Sequence, residues 1–268
     1  MTVLAAVQMT SGADKRANLE AATRLVRKAV ARGASFVGLP ENFAWMGPEP
    51  ERDQNAEPLD GPTLKAMGVL AKELSVTLLA GSVLETGAPG GRLFNTSVLF
   101  GPDGARLGVY RKMHLFDVEV GDGQTYRESA VVAPGTEVVV AEAPVGKVGL
   151  SVCYDLRFPE LYRRHSEAGA VVLTVPSAFT LATGKDHWEV LLRARAIENQ
   201  AYVVAPAQQG KHPKDRMTWG HAMVVDPWGL VVARASEGEG VAVAEFDGAL
   251  LTKVRASLPA LKHRRLTH

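Results

Sequence analysis

A chain of 268 residues, 46% apolar and 22% charged with a net charge of +1, has the balance of a folded protein with a sizeable core. Near-neutrality gives no electrostatic case for nucleic acid or an anionic membrane, and no apolar run approaches the ~18–20 residues of a membrane span. The one cysteine excludes an intrachain disulfide and a Cys-based zinc cluster, and the first residues lack a secretion signal, so the expected compartment is the cytoplasm.

In chain order, residues 3–7 read as a buried strand. Leu19, Ala22, Leu25, Val26, Ala29 and Val30 then recur at helical spacing up to Gly33. A second strand over 35–39 stops at Pro40-Glu41-Asn42-Phe43, and a Pro/Glu/Asp-rich loop covers 47–60. A helix over 62–74 and a strand over 76–80 follow. Strands at 95–100 and 105–110 are joined by Gly101-Pro102-Asp103-Gly104, which has Pro second and Gly fourth as a type I turn prefers. Residues 138–142 and 148–152 form another strand pair. After them come a helix over 160–168 closed by Gly169, a strand over 171–175, a helix over 187–199 and a strand over 201–205. Asp226-Pro227-Trp228-Gly229 turns between strands at 223–225 and 231–233. A strand near 241–246, a short helix and a basic tail end the chain. Alternation of α and β elements mixed with hairpins predicts a single α/β domain over residues 1–268, a layered sheet with helices outside.

Three polar residues fall where predicted strands end, the place α/β folds reserve for ligands: Glu41, Lys112 and Cys153. Each has a plainer reading when taken alone. Glu41 can be a surface carboxylate, Lys112 half of a solvated Arg-Lys pair, and Cys153 an inert buried thiol. Together they are chemically coherent. A thiol of pKa ~8.5 needs a base or a cation to react at neutral pH. A buried glutamate with its pKa raised can be that base, and a lysine beside the sulfur can hold the oxyanion formed on attack. His187 and His221 stand open as rival bases. A metal site is disfavoured, since His212 and His221 lack helical i,i+4 spacing.

The segments Leu39-Pro40-Glu41-Asn42, Tyr110-Arg111-Lys112-Met113-His114-Leu115-Phe116-Asp117 and Val152-Cys153-Tyr154-Asp155-Leu156-Arg157-Phe158-Pro159-Glu160 resemble, in that order, the nitrilase superfamily of carbon–nitrogen hydrolases. The resemblance implies a four-layer α-β-β-α sandwich, a homodimer or higher homo-oligomer paired through the helices after the cysteine, and no cofactor. It implies catalysis by Glu41, Lys112 and Cys153, a second glutamate at Glu128, and an oxyanion held by Lys112 and the Tyr154 backbone N–H. Pro176-Ser177-Ala178-Phe179, the 187–200 segment and the 220–229 segment are similar to the Nit group of amidases. That group implies a small carboxylate-bearing ω-amide as substrate: deaminated glutathione (the 2-oxoglutaryl amide of Cys-Gly), or 2-oxoglutaramate or succinamate.

Such substrates call for a cationic anchor. Arg157 is the first choice, with an ion pair to Glu160 or Asp155 as its structural alternative. The 211–216 loop is a second place for a terminal carboxylate. Phe43 and Phe179 are expected to wall the pocket. A non-catalytic redox-sensing or binding protein is the rival from another class, and nitrile or carbamoyl hydrolysis uses the same three residues.

Overall fold

The computed structural model describes residues 2–119 and 125–266; Met1, residues 120–124 and the last two residues of the basic tail lie outside the description. The first strand, β1 (Val3–Met9), shows how the layers arise from its sequence. Its side chains alternate, so Leu4 and Ala6 enter one apolar cluster while Ala5, Val7 and Met9 enter another. An apolar run with no polar face can only be an interior strand covered on both sides.

β1 is central to an eight-stranded sheet. On one side lie β2 (Phe36–Gly38), β3 (Thr77–Glu85), β4 (Phe94–Phe100) and β5 (Arg106–Arg111). On the other side β16 (Gly240–Glu245) pairs antiparallel with residues 3–8, and β12 (Ala207–Lys211) takes over in parallel at Gln8–Met9. β13 (Met217–Trp219) closes that edge. α1 (Lys15–Val30) and α3 (Pro62–Leu74) cover the outer face, with Leu25, Val26, Leu64 and Met67 in the cluster of Val7, Leu78 and Val98.

A six-stranded sheet packs against the inner face, in the order β15 (Val231–Arg234), β14 (Met223–Val225), β11 (Tyr202–Ala205), β10 (Val172–Thr174), β9 (Gly146–Leu150), β8 (Val140–Ala143). α4 (Pro159–Glu167) and α5 (Leu181–Asn199) form the fourth layer through Leu161, Tyr162, Trp188 and Leu192. The order is therefore helix, sheet, sheet, helix, as the resemblance implies.

Several elements differ from the sequence reading. The loop at 47–60 contains the short helix α2 (Arg52–Asn55). α5 begins at Leu181, six residues before the expected 187, capped by Thr180. The β12–β13 hairpin has no apolar alternation to mark it, because its residues are largely polar and Gln208 turns inward. Gln208 is fully buried, bonding Ser11 and the Glu41 carbonyl. A small hairpin of β6 (Asp117–Glu119) and β7 (Thr125–Arg127), and the helix α6 (Gly248–Ser257), complete the described elements.

Candidate active site

Glu41 is delivered by the chain that leaves β2. Strand β3 is bulged between Ala80 and Val83, and the 39–40 backbone lies directly against Gly81. A Cβ at Gly81 would stand 1.9 Å from the Pro40 carbonyl oxygen, so only glycine permits this approach. Asn42, in the left-handed region at φ 55°, is held by the Ser82 hydroxyl at 3.0 Å, and the Glu41 carbonyl accepts from Gln208 at 3.0 Å. Lys112 follows β5, and its backbone N–H donates to the Asn95 carbonyl at 2.8 Å.

Cys153 stands on a tight turn, Cys153–Arg157, between β9 and α4, at φ 51°. That conformation is uncommon for a side chain bearing Cβ and is held from outside. The Cys153 N–H donates to the Pro176 carbonyl at 2.9 Å, and Asp155 ties the turn to the lysine segment. The Asp155 carboxylate accepts from the Val152 N–H at 2.8 Å, the Tyr110 hydroxyl at 2.7 Å and the His114 N–H at 3.0 Å, with His114 Nδ1 at 2.7 Å. Flanking residues of two separate motifs therefore meet in one buried network. Asp155 is not a partner of Arg157.

The four ionisable groups converge at the base of a cavity of about 220 Å³. Lys112 Nζ lies 3.0 Å from Glu41 Oε1 and 2.8 Å from Glu128 Oε2, and Glu41 hydrogen-bonds the Cys153 thiol. Glu41 Oε2 also accepts from the Ala178 N–H at 2.9 Å. Glu128, on a short turn after β7, accepts from the Phe116 N–H at 2.7 Å. Asn95, which the sequence reading missed, donates to Glu41 at 3.0 Å and to Glu128 at 3.1 Å. No local pattern marks Asn95; only strand register places it beside Lys112.

Protonation follows from this packing. Burial and then the Glu41 carboxylate push the Cys153 thiol far above its ordinary value, with Lys112 offsetting only part of it. Burial alone would raise Glu41. The Lys112 ammonium, the thiol bond and Arg216 outweigh it and hold the carboxyl below its ordinary value. Burial likewise opposes the Lys112 charge, but Glu128 and Glu41 lift its pKa well above the usual lysine value. The resting site is thus carboxylate, ammonium and neutral thiol. The expected upward shift of Glu41 is corrected: the adjacent cation outweighs desolvation.

Arg157 and Phe179 reach the cavity, as does Tyr154. The Arg157 guanidinium lies 5.4 Å from the Phe179 ring centre and 5.8 Å from that of Tyr154, with one nitrogen 3.2 Å from His187 Nδ1. Among the described residues no carboxylate pairs with it. In the turn, the Cys153 and Asp155 N–H groups are taken by the Pro176 and Val152 carbonyls. The intervening Tyr154 N–H is one that a helical start leaves unpaired. Phe43 is a correction. It is fully buried in the cluster beneath α1 and α3 and does not line the cavity.

From the 211–216 loop, His212, Lys214 and Arg216 line the cavity, while Lys211 pairs with Asp215 at 2.6 Å on the surface. His212 bonds the Ser11 carbonyl and the Thr218 hydroxyl, and His221 stacks on Trp219. Among the described residues no cluster of three or more metal-ligating side chains is present.

A cysteine, a glutamate and a lysine side by side in one cavity of a helix–sheet–sheet–helix sandwich have the chemistry that thiol-mediated hydrolysis needs. The chain matches the carbon–nitrogen hydrolase family over residues 3–256. It is 49% identical over 263 residues to the deaminated glutathione amidase of Synechocystis sp., covering 97% of each chain. It is 39% identical over 262 residues to the mouse omega-amidase NIT2, covering 98% of this chain and 94% of that one. The crystal structure of Saccharomyces cerevisiae Nit3, a member of branch 10 of the nitrilase superfamily, superposes with a TM-score of 0.89 at 32% identity, covering 99% of this chain and 97% of that chain. The chain belongs to the carbon–nitrogen hydrolase family, and it is a hydrolase of non-peptide C–N bonds with a small-molecule amide as substrate. Among the described residues no helix is long and apolar enough to cross a membrane.

Proposed function

We propose that this enzyme hydrolyses deaminated glutathione through an acyl-thioester on Cys153. The observation that carries the mechanism is the buried set of Glu41, Lys112, Glu128 and Cys153 at the cavity floor. As the thiol sulfur attacks the amide carbonyl, Glu41 takes its proton. The carbonyl oxygen gains charge against Lys112 and the Tyr154 N–H. As Lys112 turns to the oxyanion, Glu41 loses part of the cation that held its pKa down, and its proton affinity rises when the proton arrives. Protonated Glu41 gives that proton to the amine nitrogen as the C–N bond breaks and Cys-Gly departs. Glu41 then takes a proton from water, whose oxygen attacks the thioester. 2-Oxoglutarate leaves, and the proton returns to sulfur. Glu128 keeps Lys112 charged and in place throughout.

The substrate class rests on two guanidinium groups. Arg157 and Arg216 line the cavity without a carboxylate partner among the described residues, and Arg216 Nε is buried with no acceptor. A substrate with a carboxylate at each end meets both. Phe179 lines the cavity beside Arg157. The Synechocystis relative carries the name of this activity. The mouse relative carries the name omega-amidase, and the competing substrate is the 2-oxoglutaramate that the resemblance to the Nit group implies. Steady-state kinetics on both, following 2-oxoglutarate, decide between them. A much higher kcat/KM for deaminated glutathione supports the proposal, because the Cys-Gly part then contributes in the transition state. A preference for 2-oxoglutaramate replaces the proposal with ω-amidase activity.

The protein is proposed to work in a reducing cytoplasm, where a lone nucleophilic thiol stays reduced. It is also proposed to form a homodimer through the outer face of α5. Val190, Ile197, Trp228 and Leu230 are exposed there, and Arg193 ties the 226–229 turn to the helix through the Gly229 carbonyl at 2.7 Å. Large exposed apolar patches of this kind mark protein contacts.

A further inference from the structure

We infer that Asn95 is a positioning residue of this reaction, holding Glu41 and Glu128 in register while Lys112 changes partners. The inference rests on the reading of Glu41 as the base. Asn95 is the second residue of β4: it pairs with Leu84 of β3, and its carbonyl receives the Lys112 N–H at 2.8 Å just past β5. The same residue thus fixes the lysine backbone and carries an amide into the site.

The side-chain bonds form a closed ring. Lys112 Nζ bridges Glu41 Oε1 and Glu128 Oε2, at 3.0 Å and 2.8 Å. Asn95 Nδ2 bridges Glu41 Oε1 and Glu128 Oε1, at 3.0 Å and 3.1 Å. Asn95 is 2% exposed. Both neighbours of its Nδ2 are carboxylate oxygens, so the amide orientation is fixed: an oxygen there would face acceptors only. Among the described residues, Asn95 Oδ1 is buried without a partner. The side chain is therefore placed for its two N–H bonds and not for a balanced network.

Glu41 Oε1 accepts from both Lys112 and Asn95, and Oε2 accepts from the Ala178 N–H at 2.9 Å. When the oxyanion draws Lys112 away, the lysine bridge loosens, and Asn95 alone still spans the two carboxylates. Without it, Glu41 and Glu128 would separate at the moment the proton is in transit.

Asn95→Ala and Asn95→Asp test this against wild type, with Glu41→Gln as control. Asn95→Ala is expected to lower kcat about 10–100-fold with KM within about threefold. Asn95→Asp keeps the shape but supplies one O–H only while protonated, and like charges on both sides keep it protonated at acid pH. Its kcat should fall at least about tenfold between pH ~6 and ~9, where that of the wild type is flat. A kcat for Asn95→Ala within about threefold of wild type overturns the inference. So does an Asn95→Asp profile of wild-type shape, with a lowered melting temperature accounting for the activity loss in both variants. An active Glu41→Gln enzyme removes the base reading, and this inference with it. An inactive Glu41→Gln enzyme beside an unimpaired Asn95→Ala enzyme removes this inference alone.

Discussion

The reactive sulfur is protonated at rest, which sets the enzyme apart from thiol hydrolases that store a thiolate. Burial and the Glu41 carboxylate both raise the Cys153 pKa, so the free enzyme should resist small neutral alkylating agents. Between pH ~7 and ~9 the alkylation rate should stay low and climb about tenfold per pH unit without levelling, whereas a thiol of pKa ~8.5 levels off above that pH; a plateau near pH ~8.5 would contradict the charge assignment. Glu41, held below its ordinary value, is ionised throughout neutral pH. The acid limb of kcat/KM should therefore lie below the ordinary glutamate value of 4.5, measured with a substrate that does not titrate there. Glu41→Gln removes the proton acceptor and should lower kcat by ~10²–10⁴ with the fold retained.

Strands and helices carry these side chains to one place, and their local demands are testable. Gly81→Ala puts a methyl group 1.9 Å from the Pro40 carbonyl oxygen, so strand β3 and the Glu41 loop must part. A loss of ~1–3 kcal/mol in urea unfolding and a lower kcat are expected; a variant with wild-type stability would show that the loop tolerates the shift. Behind β9, His165 of α4 is fully buried with neither ring nitrogen bonded, and burial pulls its pKa down to about 4 from 6.5. The folded form stays neutral where the unfolded chain takes a proton, so stability falls as pH drops from 6.5 towards 4. From pH ~7 to ~5 this group removes ~2 kcal/mol, and His165→Met should abolish most of that loss. Elements with apolar periodicity, such as β1, α1 and α3, were legible in the sequence. The β12–β13 hairpin was not, because Gln208 turns inward to satisfy polar partners where an apolar side chain would mark a strand. Phe43 misled for the opposite reason: nearness to Glu41 in sequence says nothing about which face of the sheet a ring enters. Glu41, Lys112 and Cys153 were visible as strand-end residues, whereas Asn95 and the tie from Asp155 to His114 exist only through register and folding.

For the molecule as a whole, a net charge of +1 leaves association to shape and apolar area. The Val190, Ile197, Trp228 and Leu230 face should make the enzyme a dimer in sedimentation velocity, and Trp228→Glu should shift it towards monomer. A wild-type monomer at micromolar concentration would contradict the proposed pairing. The proposed turnover passes through one covalent species, the thioester on Cys153. The most direct measurement is rapid quenching of enzyme mixed with deaminated glutathione, followed by peptide mass spectrometry. A 2-oxoglutaryl group on the Cys153 peptide should form and decay at rates consistent with kcat, and the Cys153→Ala enzyme should be folded but inactive. Release of 2-oxoglutarate with Cys153 unmodified throughout, or undiminished by Cys153→Ala, would contradict the thioester route.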